Sequence, residues 1–351
     1  MLIGIEKRYQ FADRHGNSID IAGRVPIDQY GTHHPNSSPD LTSIVIISAE
    51  RGDQTFACVQ SIFDNTPEPF EIIISDVGSG EETQKIIRDL EEKHANLHVI
   101  YNKESTGTTG QRNQGIYLSK GGYIAFLDND VLVLPEWLKH LRRIAIGNPK
   151  IGLVGAKLLA ADAQSVYYCG IHTVALERNS RVYGIGLDKR KGKSKLSRYD
   201  KLALQGGFVP WYTTTTILSR REIVDKIGGF DDIVAGKGIF IANEDKDLSL
   251  TCSKMGFQIY YCPEAETIHN HDYSKIDRSD TYHQTYRLRM EQIAKDTLYF
   301  VQKWNLRYML EILPHEDNTR EWNGKELIPV HLDLASSILK RDLVSIESLN
   351  P

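Results

Sequence analysis

The chain has 351 residues, 40% of them hydrophobic and 25% charged, with 27 Gly and 12 Pro, which describes a packed globular body and excludes a fibrous or disordered chain. A net charge of −4 provides no global basic field to draw the protein to nucleic acid. Cys58, Cys169, Cys252 and Cys262 form no CxxC pair and read as reduced, buried thiols rather than a disulfide framework. The opening MLIGIEKRYQ resembles neither a signal peptide nor an anchor, and no apolar run reaches the roughly 20 residues of a membrane span. These features predict a cytoplasmic protein and leave peripheral membrane contact open.

In chain order, IGIEKRYQF and SIDIAGRV flank the turn-like HGNS and predict a β-hairpin, with THHPNSSPD as a linker closing residues 1–40. From Leu41 the pattern becomes strand–helix alternation. SIVII (Ser43–Ile47) is almost wholly apolar, as a strand covered on both faces should be. A helix is predicted over residues 54–65, ended by Thr66-Pro67. EIIIS (Glu71–Ser75) is a second strand followed by the loop DVGSG, and residues 81–94 carry Ile86, Ile87 and Leu90 at helical spacing. LHVIY (Leu97–Tyr101), the loop NKESTGTTG, a helix over 111–119 and the strand YIAFL (Tyr123–Leu127) complete the first half. That last strand runs directly into Asp128-Asn129-Asp130.

Strand–helix–strand order with short loops predicts parallel strands joined by right-handed crossovers. Ligands of such sheets lie beyond the carboxyl ends of the strands, where DVGSG, NKESTGTTG and DND all fall. The second half offers strand candidates in IGLVGAKLL, WYTTTTILS (Trp211–Ser219) and FQIYYCP (Phe257–Pro263), and helices over 243–255 and 282–305. DKRKGKSKLSRYDK (Asp188–Lys201) is a basic loop, read as a solvated lid or as a contact for a phosphorylated acceptor. LDLASSILKRDLVS predicts an amphipathic C-terminal helix.

Two carboxylates one residue apart at the end of a buried strand can reach one hard cation together, and that cation can bridge the two phosphates of a nucleotide diphosphate. An isolated DxD is weak, because surface turns contain acidic pairs constantly. Here the strand leading into it is apolar, where an unpaired carboxylate is costly.

SIVII, EIIISDVGS, GTTGQRNQGI, GGYIAFLDND, GGFDD, NEDKDLSL and YYCPEAETIH stand in the order found in family 2 glycosyltransferases, a resemblance covering residues 41–274. It implies an α/β GT-A fold: a Rossmann-like mixed sheet flanked by helices, here with an N-terminal β-hairpin extension and a C-terminal helical segment. The implied division is an extension at 1–40, a catalytic domain at 41–305 with its nucleotide-binding half ending at residue 130, and an extension at 306–351. It implies a nucleotide-sugar donor with UDP favoured, an Mn2+ or Mg2+ ion, an inverting transfer, and a glycan or lipid-linked acceptor in preference to a peptide. A homodimer is left open.

Carried over residue by residue, Asp128 and Asp130 match the metal-binding pair, Asp128 lying nearer the donor. Arg112 matches the cation that faces the diphosphate, with Gly107 letting the backbone approach; the ordinary alternative for Arg112 is an exposed helix cation. Asp76, Ser48 and Glu50 occupy the nucleoside side. Val77 departs from the family, because valine cannot hydrogen-bond a base edge. Asp245 matches the base that takes the acceptor proton, with Glu244 as its neighbour or an acceptor contact. Asp247 reads as acceptor contact or as an acidic residue favoured at a helix start. His269 matches a third metal ligand, with His271 as the alternative. Trp211 reads equally as a sugar platform or a core residue. Two other readings of the same motifs are a nucleotidyltransferase and a non-catalytic sugar-nucleotide-binding module.

Overall fold

The computed structural model describes residues 37–103, 107–170, 196–209, 211–231 and 243–271 with their side chains, and the backbone of strands at 8–12, 18–22, 171–178, 181–188, 306–312, 320–322 and 327–329. In chain order the first half comprises β1 (Arg8–Ala12), β2 (Ser18–Ala22), β3 (Ser38–Ser48), α1 (Gly52–Asn65), β4 (Phe70–Val77), α2 (Glu81–Lys93), β5 (Leu97–Asn102), α3 (Gly107–Leu118), β6 (Gly121–Asp128) and β7 (Val131–Val133). Then come α4 (Trp137–Gly147), β8 (Ile151–Leu159), β9 (Ser165–Tyr168), β10 (Ile171–Arg178), β11 (Arg181–Asp188), β12 (Leu196–Ser197), α5 (Lys201–Leu204) and β13 (Gly207–Val209). They are followed by β14 (Thr216–Arg220), α6 (Arg221–Ile227), α7 (Glu244–Lys254), β15 (Gln258–His269), β16 (Leu306–Ile312), β17 (Arg320–Trp322) and β18 (Leu327–Pro329).

The main sheet runs β12-β9-β8-β14-β6-β3-β4-β5-β1-β2, with β15 bridging β8, β7 and β13. β3, β4, β5 and β6 are parallel, and β14 reverses direction between β6 and β8. Isoleucines at 44, 46, 72 and 74 are fully buried beneath Cys58, Val59 and Ile62 of α1 and Ile87 and Leu90 of α2. These strands read as continuous apolar runs because helices cover them. All four cysteines are free and buried, as their spacing predicts.

α3 has a different character. Its buried side includes Gln111, Arg112, Gln114 and Gly115 rather than an aliphatic stripe. Gln111 donates to the carbonyls of Ser48 and Ser75, and Gln114 exchanges hydrogen bonds with Asn102 and accepts one from the Ser75 hydroxyl, so the helix's polar groups satisfy strand ends. Gly115 lets the helix lie on the sheet: a Cβ there would meet Val45 Cγ1 at 2.2 Å.

The predicted hairpin is present, with Phe11 opposite Ile19, and β1 meets β5 at Ala12–Tyr101. Several boundaries differ from the sequence reading. β3 begins at Ser38, inside the expected linker, and α3 begins at Gly107, inside the expected loop. WYTTTTILS forms a strand only from Thr216, because Thr213 and Thr215 bond to each other in a local turn. β15 continues past Pro263 to His269 through an irregularity in its pairing with β8. The end of the basic segment folds as β12 and α5. The expected helices at 282–305 and near the C-terminus lie outside the described residues. Within 306–329 the described elements are strands, and β16 pairs in parallel with β11.

Candidate active site

Parallel register brings the strand ends together. Ser48 stands opposite Asp76, and Ile47 opposite Asp128, so β3, β4 and β6 deliver these residues to one edge. Asp76 is 1% exposed and accepts a hydrogen bond from Ser79 at 2.5 Å. Burial raises its carboxyl above the ordinary range, while the Ser79 and Ser48 hydroxyls oppose that rise. Ser48 is buried beside it. Glu50 accepts from the Gly80 amide at 2.9 Å and donates its own amide to Ser79, joining the loops after β3 and β4. Val77, the last residue of β4, is 3% exposed, so its side chain is buried rather than presented at the open edge. Gly107, at φ 71, opens α3 in a left-handed conformation that favours glycine.

Arg112 is 2% exposed and joins the two halves of the chain. Its Nη2 donates to Asp128 Oδ1 at 3.0 Å, and its Nη1 lies 3.6 Å from Glu244 Oε1. The Phe230 ring packs against the guanidinium, 5.4 Å from its centroid. Phe230 is itself held by Asn113, which donates to its carbonyl and accepts from its amide, both at 2.9 Å. The exposed-cation alternative for Arg112 is thereby excluded. Nε and Nη1 of this buried arginine have no hydrogen-bond partner among the described residues.

Asp130 forms a second centre. The sheet explains how: β15 pairs with β7 so that His269 stands opposite Val131, and the Asn270 amide donates to the Asp130 carbonyl at 2.8 Å. Alternation along an extended chain puts His269 and His271 on the same side. His269 Nε2 lies 3.5 Å from Asp130 Oδ1, and His271 Nδ1 lies 3.4 Å from Oδ2. Both histidines of the sequence alternative therefore face the same carboxylate. Burial alone would raise the Asp130 carboxyl, but hydrogen bonds and charge from these two imidazoles hold it far below the usual carboxylate range. Arg51 approaches from the other half, with Nη1 3.7 Å from Asp130 Oδ2 and 3.0 Å from His271 Nδ1.

Glu244 and Asp245 lie in the first turn of α7. Burial, reinforced by Asp245, pushes the Glu244 carboxyl up to about 8. The Lys246 amide donates to Asp245 Oδ1 at 2.7 Å. Asp247 is 3% exposed, within the fold. Trp211 is 6% exposed among the buried rings of Tyr168 and Tyr212, with Lys246 Nζ 5.2 Å from its ring centroid.

The family resemblance implies a divalent cation, and the residues near Asp130 fit one. Asp130 Oδ1 is buried, and its contact with His269 Nε2 at 3.5 Å is long for a hydrogen bond. Imidazole nitrogens at 3.4 and 3.5 Å from a carboxylate's oxygens approach the separation of about 3 Å between neighbouring ligands of one octahedral ion with bonds near 2.1 Å. Among the described residues no group of three His, Cys, Asp or Glu side chains is placed to hold a metal ion. A cation at Asp130 would therefore take most of its ligands from phosphate oxygens and water. Asp128 is engaged by Arg112, which leaves Asp130 as the carboxylate facing the histidines.

Residues 43–228, more than half of the chain, match the Glycosyl transferase family 2 domain. The chain belongs to that family. Glycosyltransferase AglE of Haloferax volcanii is 22% identical over 58% of this chain. WfaP of Escherichia coli, a UDP-Glc:alpha-D-GlcNAc-diphosphoundecaprenol beta-1,3-glucosyltransferase, is 37% identical over 26% of it. The matches span 60% of AglE and 36% of WfaP. Among solved structures, GalNAc-T7 with UDP, GalNAc and Mn2+ superposes with a TM-score of 0.51 at 17% identity, over 66% of this chain and 44% of that one, a likeness of fold. The family 2 match includes Asp76, Arg112 and the Asp128–Asp130 triplet but ends at Gly228, before α7 and the histidines. Those later residues join the site through β15 and Arg112.

Proposed function

We propose that this chain transfers a sugar from a nucleotide diphosphate donor to an acceptor hydroxyl, with inversion at the anomeric carbon. One observation carries the reading: Arg112 is buried between Asp128, at the end of the nucleotide-side sheet, and Glu244, at the start of α7. A diphosphate placed there meets a guanidinium whose remaining N–H groups have no hydrogen-bond partner among the described residues. Family membership supports the same reaction class.

Asp130, with one of the two imidazoles beside it, would hold a divalent ion, and that ion would supply Lewis-acid stabilisation of the departing diphosphate. Asp76 and Ser48 line the nucleoside side, with Glu50 setting the loop beside them. Asp245 takes the proton of the acceptor hydroxyl as that oxygen bonds to the anomeric carbon. The bond from that carbon to the diphosphate breaks, and Arg112 receives the charge that builds on the departing oxygen. Glu244, kept neutral by burial up to about pH 8, leaves Asp245 as the ionised member of the pair.

A UDP-sugar is the favoured donor and a lipid-linked glycan precursor the favoured acceptor class, in line with the name of WfaP. Asp130→Asn is expected to abolish metal-dependent donor binding. Asp245→Asn should keep donor affinity, read by calorimetry, while turnover falls by about 10³-fold or more. Nucleoside diphosphate must be the product. Release of pyrophosphate, or wild-type turnover in Asp245→Asn, would refute the assignment.

A further inference from the structure

We propose that Arg51 is a positioning residue which shares Asp130 with the divalent cation, and thereby makes cation and donor diphosphate bind as a coupled pair. The inference rests on the metal–diphosphate reading of Asp130.

Arg51 is the residue immediately before α1, and both it and Glu50 have left-handed backbones, at φ 60 and 59. Two successive non-glycine residues in that region are unfavourable and persist only where surrounding contacts impose them. Those contacts are present. Glu50 is held through Gly80 and Ser79, and Asn129, the middle residue of DND, donates to the Glu50 carbonyl at 3.4 Å and to Thr55 Oγ1 at 2.9 Å. The Arg51 carbonyl accepts the Gln54 and Thr55 amides at 3.1 and 3.0 Å, opening α1. Gln54 in turn donates to the Asn270 carbonyl, between the two histidines. The strained turn thus aims Arg51 at Asp130 and His271, and the triplet that carries Asp130 also braces the turn.

The guanidinium keeps its charge at every relevant pH. Placed 3.7 Å from an Asp130 oxygen, it opposes a second cation on the same carboxylate. Its side chain is 21% exposed against 8% for Asp130, so it lies toward the open side of the cluster. A diphosphate arriving there brings negative charge that both cations can share. The protein should hold the cation weakly alone and firmly with the nucleotide, and linkage makes that gain reciprocal.

The test uses the full chain and Mn2+, with free ion followed by electron paramagnetic resonance, in the absence and presence of UDP. Arg51→Gln should bind Mn2+ alone about tenfold more tightly than wild type, and the tightening by UDP should shrink by a similar factor. Arg51→Lys, which keeps the charge, should resemble wild type and controls for damage to the turn. Unchanged or weaker Mn2+ binding in Arg51→Gln, or Arg51→Lys behaving like Arg51→Gln, overturns the proposal. Wild-type Mn2+ binding in Asp130→Asn would instead defeat the metal reading itself, so the two failures are told apart.

Discussion

At the scale of single residues, charge is the organising quantity. Arg112 is buried between the Asp128 carboxylate and the Glu244 carboxyl, so Arg112→Ala leaves Asp128 without its cation. Donor affinity should fall at least about tenfold, measured by calorimetry against Arg112→Lys, which keeps the charge but loses the fork. Glu244 gives a pH prediction with a definite sign. Its carboxyl is raised in the folded state, so the native protein holds a proton that the unfolded chain releases above its ordinary value of 4.5. That contribution is fully present below pH 4.5 and is lost as pH rises through about 8. Glu244→Gln, which imitates the neutral acid, should flatten the decline of stability between pH 5 and 9 by on the order of 2 kcal/mol in urea titrations.

At the scale of elements, α3 departs from ordinary amphipathic design. It is held by polar groups that tie off strand ends and by close approach at Gly115. Alanine at 115 would gain about 1 kcal/mol of helix propensity, yet its Cβ would overlap Val45. Overpacking outweighs propensity, and Gly115→Ala should lower stability by about 1–3 kcal/mol by chemical denaturation. Asn113 clamps Phe230 at both backbone groups, and Phe230 in turn covers Arg112. Asn113→Ala should cost about 1–3 kcal/mol, with looser donor binding accompanying the loss because the Arg112 roof shifts.

At the scale of the whole molecule, the site is assembled from three distant stretches: the ends of β3–β6, the start of α7 and the last residues of β15. A ligand touching all three should stabilise the fold as a unit. UDP at about 100 times its Kd with Mn2+ present should add about 2.7 kcal/mol, seen as a rise in Tm that EDTA or Asp130→Asn removes.

Much of this organisation was legible in the chain itself. The apolar runs at 43–47, 71–75 and 123–127 cover both faces of their strands, so their solitary hydrophobic period announces buried parallel strands and places DND at the ligand edge. Burial of α3 was less legible, because Gln111 and Gln114 look like surface residues until strand-end carbonyls need partners. The sequence does not separate His269 from His271, whereas the pairing of β7 with β15 brings both rings to one carboxylate. The sequence places Arg51 beside Ser48 and Glu50 in the loop after β3, but its reach to Asp130 depends on a left-handed turn that no local pattern signals.

The sequence alone determined the strand–helix alternation and the acidic triplet at a strand end, since periodicity and covered apolar runs are local properties. Only the tertiary structure decided that Arg112 bridges the two halves, that Asp130 meets both histidines and Arg51, and that Trp211 and Asp247 lie buried within the fold. Those outcomes depend on register and crossover between segments far apart in the chain, and no single stretch of chain encodes the distance to a partner it has yet to meet.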